Sequence, residues 1–374
     1  MSNLKLNTLD IKNYRSLENV HVEKLGRLNL ITGRNNVGKS SLLEAVRLWA
    51  SRTDANALLD IIEARDESLL PDNEIKPERD ERQGDNSLLG CLCLFAGYPT
   101  IDLVRDRIEI VGNGATLSIS IIEKEMEQEN LPGLQQQLDS LFTRTKVLEL
   151  SFDSPQKSVY LSLPAYYSRY RRQRFREPRF REKQVNIPCV SLGSSTLDSI
   201  ESFSTASLWD NIALTDKEEF VLRGLKLIEP RIDRINFIQG GRLGRFPVIR
   251  VSGIDRPIPL HGLGDGVTRI FEIMLALVNA ENGFLLIDEF ENGLHYSVQA
   301  MAWETVLELA TILNIQVFAT SHSNDCVEAF EVVSENAADE MVLIRLTRGD
   351  EGVRAETLSS SKLSRRLELG REVR

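Results

Sequence analysis

The sequence predicts an α/β fold with a mixed central sheet, an antiparallel sheet toward the N-terminus and an inserted helical/β lobe. Three observations predict it. The strand-like run Leu28–Thr32 is followed by a glycine-bounded loop and then by Leu42, Leu43, Val46, Leu48 and Trp49 at helical spacing, which makes a strand–loop–helix unit. Far downstream, Phe284–Ile287 is wholly apolar and ends in Asp288 and Glu289, as a strand buried on both faces would. Between them, residues 101–163 alternate apolar and polar side chains in short stretches, the pattern of antiparallel strands with one buried face.

Taken in order, Leu4–Ile11 and Val20–Glu23 read as strands before Leu28–Thr32. Residues 65–86 are charged and proline-bearing with too few apolar groups to bury, and read as a mobile surface loop. Strands follow at 102–110, 115–122, 147–152 and 159–163, interrupted by an acidic, glutamine-rich stretch from Glu123 to Gln137 that turns helical near its end. Residues 205–228 read as helix, and Ile235–Gln239 and Val248–Val251 as short strands. From Val267 to Asn279 one helical face carries Val267, Ile270, Phe271, Met274, Leu277 and Val278, with Gly283 as its stop. Ser297–Leu313 reads as helix, Gln316–Ala319 and Met341–Leu346 as strands, and Lys362–Arg374 as a basic amphipathic tail. The expected divisions are 1–65, an N-terminal lobe with the glycine loop; 66–255, antiparallel strands, insertion and helical lobe; 256–350, a C-terminal lobe; and 351–374, the tail. No repeat, heptad run or low-complexity tract interrupts them, which excludes a long coiled coil.

A chain of 374 residues has room for two or three domain-sized units, or one large domain with an insertion. Its net charge of −10 argues against coating nucleic acid over the whole surface. With 42% hydrophobic and 27% charged residues it is neither disordered nor collagen-like. No apolar run approaches the roughly 18 residues that span a bilayer, and Met1 leads straight into strand-like sequence, so the expected location is the cytoplasm. Cys91, Cys93, Cys189 and Cys326 fit neither a zinc-knuckle nor a disulfide spacing and read as buried free thiols.

Gly33-Arg34-Asn35-Asn36-Val37-Gly38-Lys39-Ser40, continued by Ser41, matches the phosphate loop of P-loop NTPases at every defining position. Glycines let backbone N–H groups wrap an anion at a helix N-terminus. Lys39 would reach the β/γ-phosphates of ATP and Ser40 would hold Mg²⁺. Asp288 would complete the metal shell and Glu289 would polarise the attacking water; the same pair also fits the mere end of a sheet strand, but the phosphate loop favours the catalytic role. Gln316–His322 is a strand ending in a hydroxyl and an imidazole. A lone histidine there is more often structural, yet His322 follows Glu289 by 33 residues, in the next strand–helix unit, where it would face the γ-phosphate. Leu263, Gly264, Asp265 and Gly266 open the 267–279 helix, either as a simple cap or as a second anion site.

Together with the opening Leu9-Asp-Ile-Lys-Asn-Tyr-Arg-Ser16, with Ile287–His295 and with Ala319–His322, these motifs resemble an ABC-type ATPase head of the OLD-like AAA family, with SMC- and RecF-like relatives. The resemblance is tight at 1–50 and 255–325 and loose between. It implies a P-loop NTPase of ABC-ATPase head type that hydrolyses ATP. It also implies a homodimer or higher assembly with ATP sandwiched between the phosphate loop of one protomer and Leu263–Val267 of the other, and Asn292–His295 near the seam. Gly264 stands where an ABC signature has a serine, which implies slow or switch-like turnover. A glutamine ligand for Mg²⁺ has no clear position; Gln184 is the candidate by location alone. OLD-like nucleases add a Toprim domain, and about fifty residues after His322 leave no room for one, so the effector, such as a Toprim nuclease, is expected on a separate polypeptide. The expected role is therefore an ATPase subunit of a defence or DNA-processing complex. An ATP-locked scaffold with little turnover is the alternative, and a RecF-like recombination mediator ranks below both.

Tyr166–Lys183 carries +6, from seven arginines and one lysine against two glutamates, while the rest of the chain carries −16. Arg169, Arg171, Arg172, Arg174, Arg176, Arg179 and Arg181, interleaved with Tyr and Phe, would grip phosphates and stack on the bases of DNA or RNA. An acidic partner protein or a solvated hairpin tip accounts for the same composition.

Overall fold

The computed structural model describes residues 4–65, 67, 90–99, 104, 106–127, 142–161, 186–193, 205–240, 244–350 and 352–358. The basic segment 166–183, Gln184, almost all of the 65–86 loop and the 362–374 tail lie outside them.

β1 (Leu9–Tyr14) and β2 (Leu17–Val22) form a hairpin with Tyr14 opposite Leu17. The first strand thus starts five residues later than the expected Leu4. Leu6 makes its main-chain bonds to the Gln316 side chain rather than to a strand, and a left-handed Asn13 (φ 57) shifts the phase so that Tyr14 turns inward. β3 (Leu28–Thr32) runs through the loop at 33–38 into α1 (Lys39–Ser51), followed by α2 (Ala55–Ala64). β4 (Ile108–Gly112), β5 (Ala115–Glu127), β6 (Phe142–Phe152) and β7 (Ser154–Leu161) continue an antiparallel sheet in the order β2-β1-β4-β5-β6-β7. Asn113 and Gly114, both at positive φ, make the two-residue turn between β4 and β5. Glu123–Glu127, expected to lead into a helix, instead extend β5 and pair with residues 142–146 of β6.

After β8 (Cys189–Leu192), the expected 205–228 helix is two helices, α3 (Thr205–Asp210) and α4 (Lys217–Lys226). They are separated by Leu214, which is exposed and left-handed at φ 63. β9 (Ile232–Gln239), β10 (Arg245–Val251) and β11 (Ile258–Pro259) form a small antiparallel sheet. A 3-10 turn at Leu260–Leu263 leads into α5 (Asp265–Asn279). β12 (Phe284–Ile287), α6 (Tyr296–Ile312), β13 (Gln316–Thr320), α7 (Asn324–Ser334), β14 (Met341–Gly349) and β15 (Gly352–Leu358) complete the order. Gly283 is not the stop of α5, which is capped at Ala280. It is the point where the chain crosses the Pro188 carbonyl so closely that any side chain would overlap it.

The central sheet has the order β15-β14-β3-β13-β12-β8, parallel except for β15. The apolar strand β12 does not neighbour the loop strand β3, because β13 lies between them. Gln316, at the start of β13, donates to the Leu6 and Gly26 carbonyls, and Asn29 of β3 donates to the Val317 carbonyl. These buried bonds pin β13 against β3. Alternation within β12 divides two cores: Phe284 and Leu286 pack toward α1 and the antiparallel sheet, and Leu285 and Ile287 toward α5, α6 and the helical lobe. Cys91 and Cys326 are buried, while Cys93 and Cys189 are half-buried; all four are free thiols. Among the described residues no helix is long and apolar enough to cross a membrane.

Candidate nucleotide site

β3 is buried at all five positions and leads directly into Gly33. Gly33 (φ 147) and Gly38 (φ 105) both adopt backbone conformations that disfavour side chains. A Cβ on Gly33 would lie 2.6 Å from the Leu346 carbonyl oxygen, and one on Gly38 2.5 Å from Ser16 Oγ. Arg34, Asn35 and Asn36 are exposed, whereas Val37 is buried and anchors the loop. No side chain caps α1 at Gly38 and no acid sits in its first turn, so its leading N–H groups and positive dipole end suit an anion. Lys39 Nζ donates to the carbonyls of Gly33 (2.8 Å) and Arg34 (3.2 Å). Burial lowers the Lys39 pKa, against the opposing pull of Asp288, Glu289 and Glu291.

β12 carries Asp288 to α1: Ser40 Oγ donates to Asp288 Oδ2 at 2.9 Å. Thr320, at the end of the neighbouring β13, donates to Asp288 Oδ1 and accepts the Glu289 N–H at 2.8 Å. One hydroxyl therefore fixes both acids. Glu289 sits at φ 52 and its carboxylate accepts from Asn292 Nδ2 at 2.8 Å. His322 Nδ1 is 3.7 Å from Glu289 and 3.2 Å from Glu291. Glu291 is 9% exposed, and its Oε1 accepts the N–H groups of His322 (2.9 Å) and Ser323 (3.1 Å). The loop residues, Asp288, Glu289 and His322 thus converge at the ends of three adjacent parallel strands.

Leu263–Gly266 forms a separate turn. Gly264 (φ 98) caps α5 without a side-chain bond, and Gly264 and Asp265 are exposed. Thr268 is the nearest hydroxyl in the helix, but it is engaged with the Gly264 carbonyl (3.3 Å) and with His261 Nδ1 (3.2 Å). Gly293, after the Asp288–Glu289 pair, packs against Asp265, and His295 caps α6 by accepting from Ser297 N–H. The Ser40 hydroxyl and Asp288 carboxylate are hard oxygen donors 2.9 Å apart, a set that suits Mg²⁺ arriving with phosphates and water. Sequence reasoning gave no role to Thr320, Glu291 or Arg269. Glu291 carried a faint signal, a second acid two residues beyond Glu289; Arg269 carried one too, a cation inside an otherwise apolar helix.

The family model described as "AAA ATPase domain" matches residues 4–188, and the one described as "AAA domain, putative AbiEii toxin, Type IV TA system" matches residues 168–327. A Helicobacter pylori protein named "ATP/GTP phosphatase" is 24% identical over 382 residues, covering 96% of this chain and 96% of its own length. Among solved structures, an SMC head bound to the C-winged helix domain of ScpA covers 96% of this chain and 99% of its own, at 13% identity and a TM-score of 0.49. The SMC head domain from Thermotoga maritima covers 95% and 99%, at 12% identity and a TM-score of 0.42. The strand–loop–helix unit, set among parallel strands that deliver an acid to its serine, makes this chain a P-loop NTPase fold of mixed α/β class.

Proposed function

We propose that the chain is an ABC-type ATPase that converts ATP and water to ADP and phosphate in a homodimer, each nucleotide lying between the phosphate loop of one protomer and the Leu263–Gly266 turn of the other. The observation that carries this reading is the Ser40–Asp288 bond, which joins the two halves of a nucleotide site with Glu289 and His322 beside them. The phosphates meet the N–H groups of residues 33–41. Lys39 exchanges the Gly33 and Arg34 carbonyls for β/γ-phosphate oxygens. Ser40 and Asp288 would hold Mg²⁺, which would neutralise phosphate charge. The Glu289 carboxylate, steadied by Asn292, accepts a proton from water as the new O–P bond forms and the bond to ADP breaks. His322, oriented by Glu291, donates to the γ-phosphate.

The exposed, side-chain-free Gly264 turn supports its use in trans. The match to a model described as a putative toxin of a toxin–antitoxin system, and the OLD-like motifs, support a defence or DNA-processing complex. In it this subunit holds or releases a separate effector, with a Toprim nuclease as the candidate and nucleic acid bound through 166–183. One observation favours the alternative of an ATP-locked scaffold: Gly264 offers no hydroxyl, and that of Thr268 is occupied. Glu289→Gln is expected to trap ATP in a stable dimer, read by light scattering, while the parent releases phosphate steadily. Equal phosphate release by the two proteins would sink the catalytic assignment; ATP-dependent dimers without parental turnover would leave the scaffold.

A further inference from the structure

Arg269 belongs to the helix that begins at the Leu263–Gly266 turn, and it is 3% exposed. Its surroundings are apolar along most of α5, where Val267 to Val278 are all buried. A guanidinium is costly to place there unless its donors are used. The Nη1 and Nη2 donors are used on main-chain oxygens, while Nε has no hydrogen-bond partner among the described residues: Nη1 donates to Gly193 O at 2.9 Å, and Nη2 donates to Asp288 O at 2.8 Å and Glu289 O at 3.0 Å. Glu272 lies 3.8 Å away, within ion-pair range but too far for a hydrogen bond, so the hydrogen bonds of the fork go to the carbonyls while the carboxylate balances its charge. The three oxygens belong to the segments that leave β8 and β12. Glu289 is left-handed at φ 52, a conformation that persists only where the surroundings hold it. Thr320 holds its N–H and Arg269 its carbonyl.

We propose that Arg269 is a positioning residue for hydrolysis: it locks the main chain of Asp288 and Glu289 to the helix that carries the signature turn. When that turn seats on the nucleotide of the partner protomer, the movement of α5 reaches the Glu289 carboxylate of its own protomer. Each site of the dimer is thereby informed of the occupancy of the other. The inference rests on the ATPase reading above. Arginine is required because a planar fork spans Gly193 on one side and the Asp288–Glu289 pair on the other, which a single ammonium cannot do.

The test compares the full chain with Arg269→Lys, Arg269→Gln and Arg269→Met, alone and combined with Glu289→Gln. The readouts are phosphate release, the Kd for a fluorescent ATP analogue, and the Hill coefficient for ATP. Because an ångström of misplacement costs on the order of 100-fold, kcat should fall about tenfold for lysine and glutamine and about 100-fold for methionine, with Kd unchanged within about twofold. The Hill coefficient should drop toward one. In the Glu289→Gln background the same changes should lower the residual rate no further, because Arg269 acts through Glu289; a merely structural defect would add to it. If methionine prevents folding, lysine and glutamine carry the comparison. Parental kcat in Arg269→Lys, or a loss that multiplies with Glu289→Gln, overturns the proposal alone. No turnover in the parent overturns the ATPase reading and the proposal together.

Discussion

Removing the Glu291 carboxylate tests how His322 is held. Its Oε1 accepts two main-chain N–H groups, at 2.9 and 3.1 Å, and lies 3.2 Å from His322 Nδ1, on a side chain that is only 8% exposed. Hydrogen bonds to a charged acceptor are worth about 1.5–3 kcal/mol and neutral ones about 0.5–1.5. Glu291→Gln keeps an acceptor oxygen and loses the charge, so it should cost about 1–1.5 kcal/mol per bond, or about 2–3 kcal/mol over the two. Glu291→Ala leaves both N–H groups without that partner, at about 1–3 kcal/mol each, lessened where water reaches them, for a total of about 2–4 kcal/mol. Urea unfolding followed by fluorescence measures both. The imidazole loses its only carboxylate neighbour other than Glu289 within 4.0 Å among the described residues. Saturating-ATP turnover should therefore fall about tenfold or more in the alanine variant, toward the loss seen when a transition-state donor is removed. An alanine variant destabilised by less than about 0.5 kcal/mol, or one that turns over at the parental rate, refutes the claim that Glu291 positions His322.

Burial pushes the Cys91 and Cys326 thiols up to about 12. The folded chain therefore keeps protons that the unfolded chain loses above its ordinary value of 9.0. The contribution is whole below about pH 9 and is lost between there and about 12, at about 1.4 kcal/mol per pH unit for each thiol. Urea midpoints taken across that window should fall less steeply in a Cys91→Ala/Cys326→Ala variant, and identical slopes would count against the burial argument. For the segment beyond the described residues, reversing Arg171, Arg172 and Arg174 to Glu should weaken DNA binding. It should also flatten the salt dependence by about 0.7 per lost phosphate contact on a single strand; an unchanged slope points to an acidic protein partner instead.

The phosphate loop was legible because its demands are local. Gly33 and Gly38 must be glycine for reasons of φ and of immediate neighbours, and the residues that impose this leave a fixed spacing. Phe284–Ile287 was legible because a strand buried on both faces must be apolar throughout. The order of the strands was not, since it depends on a Gln316 side chain reaching Leu6, 310 residues away. The start of β1 was not legible either, because Leu4 and Leu6 alternate with polar residues as in a strand, whereas the Leu6 main chain bonds to the Gln316 side chain. Gly283 reads as a helix stop in sequence because glycine serves both stops and close crossings, and only the Pro188 carbonyl decides between them. Arg269 and Glu291 act on main-chain carbonyl oxygens and N–H groups, which nearly every residue carries, so no pattern of side chains marks these partners.

The chain has three tryptophans, and the fold sets each beside a different part of the proposed site. Trp49 rides on the phosphate-loop helix against Phe152 and Phe284. Trp209 faces Phe271 on the helix that starts at the signature turn. Trp303 lies flat on Phe290, the residue after Glu289, with ring centroids 3.7 Å apart and planes 10° from parallel. The molecule therefore carries its own optical instrument. Three single-tryptophan versions, mixed rapidly with ATP and watched without any dye, would report on the three places separately and give the order in which loop, turn and acid respond to the nucleotide.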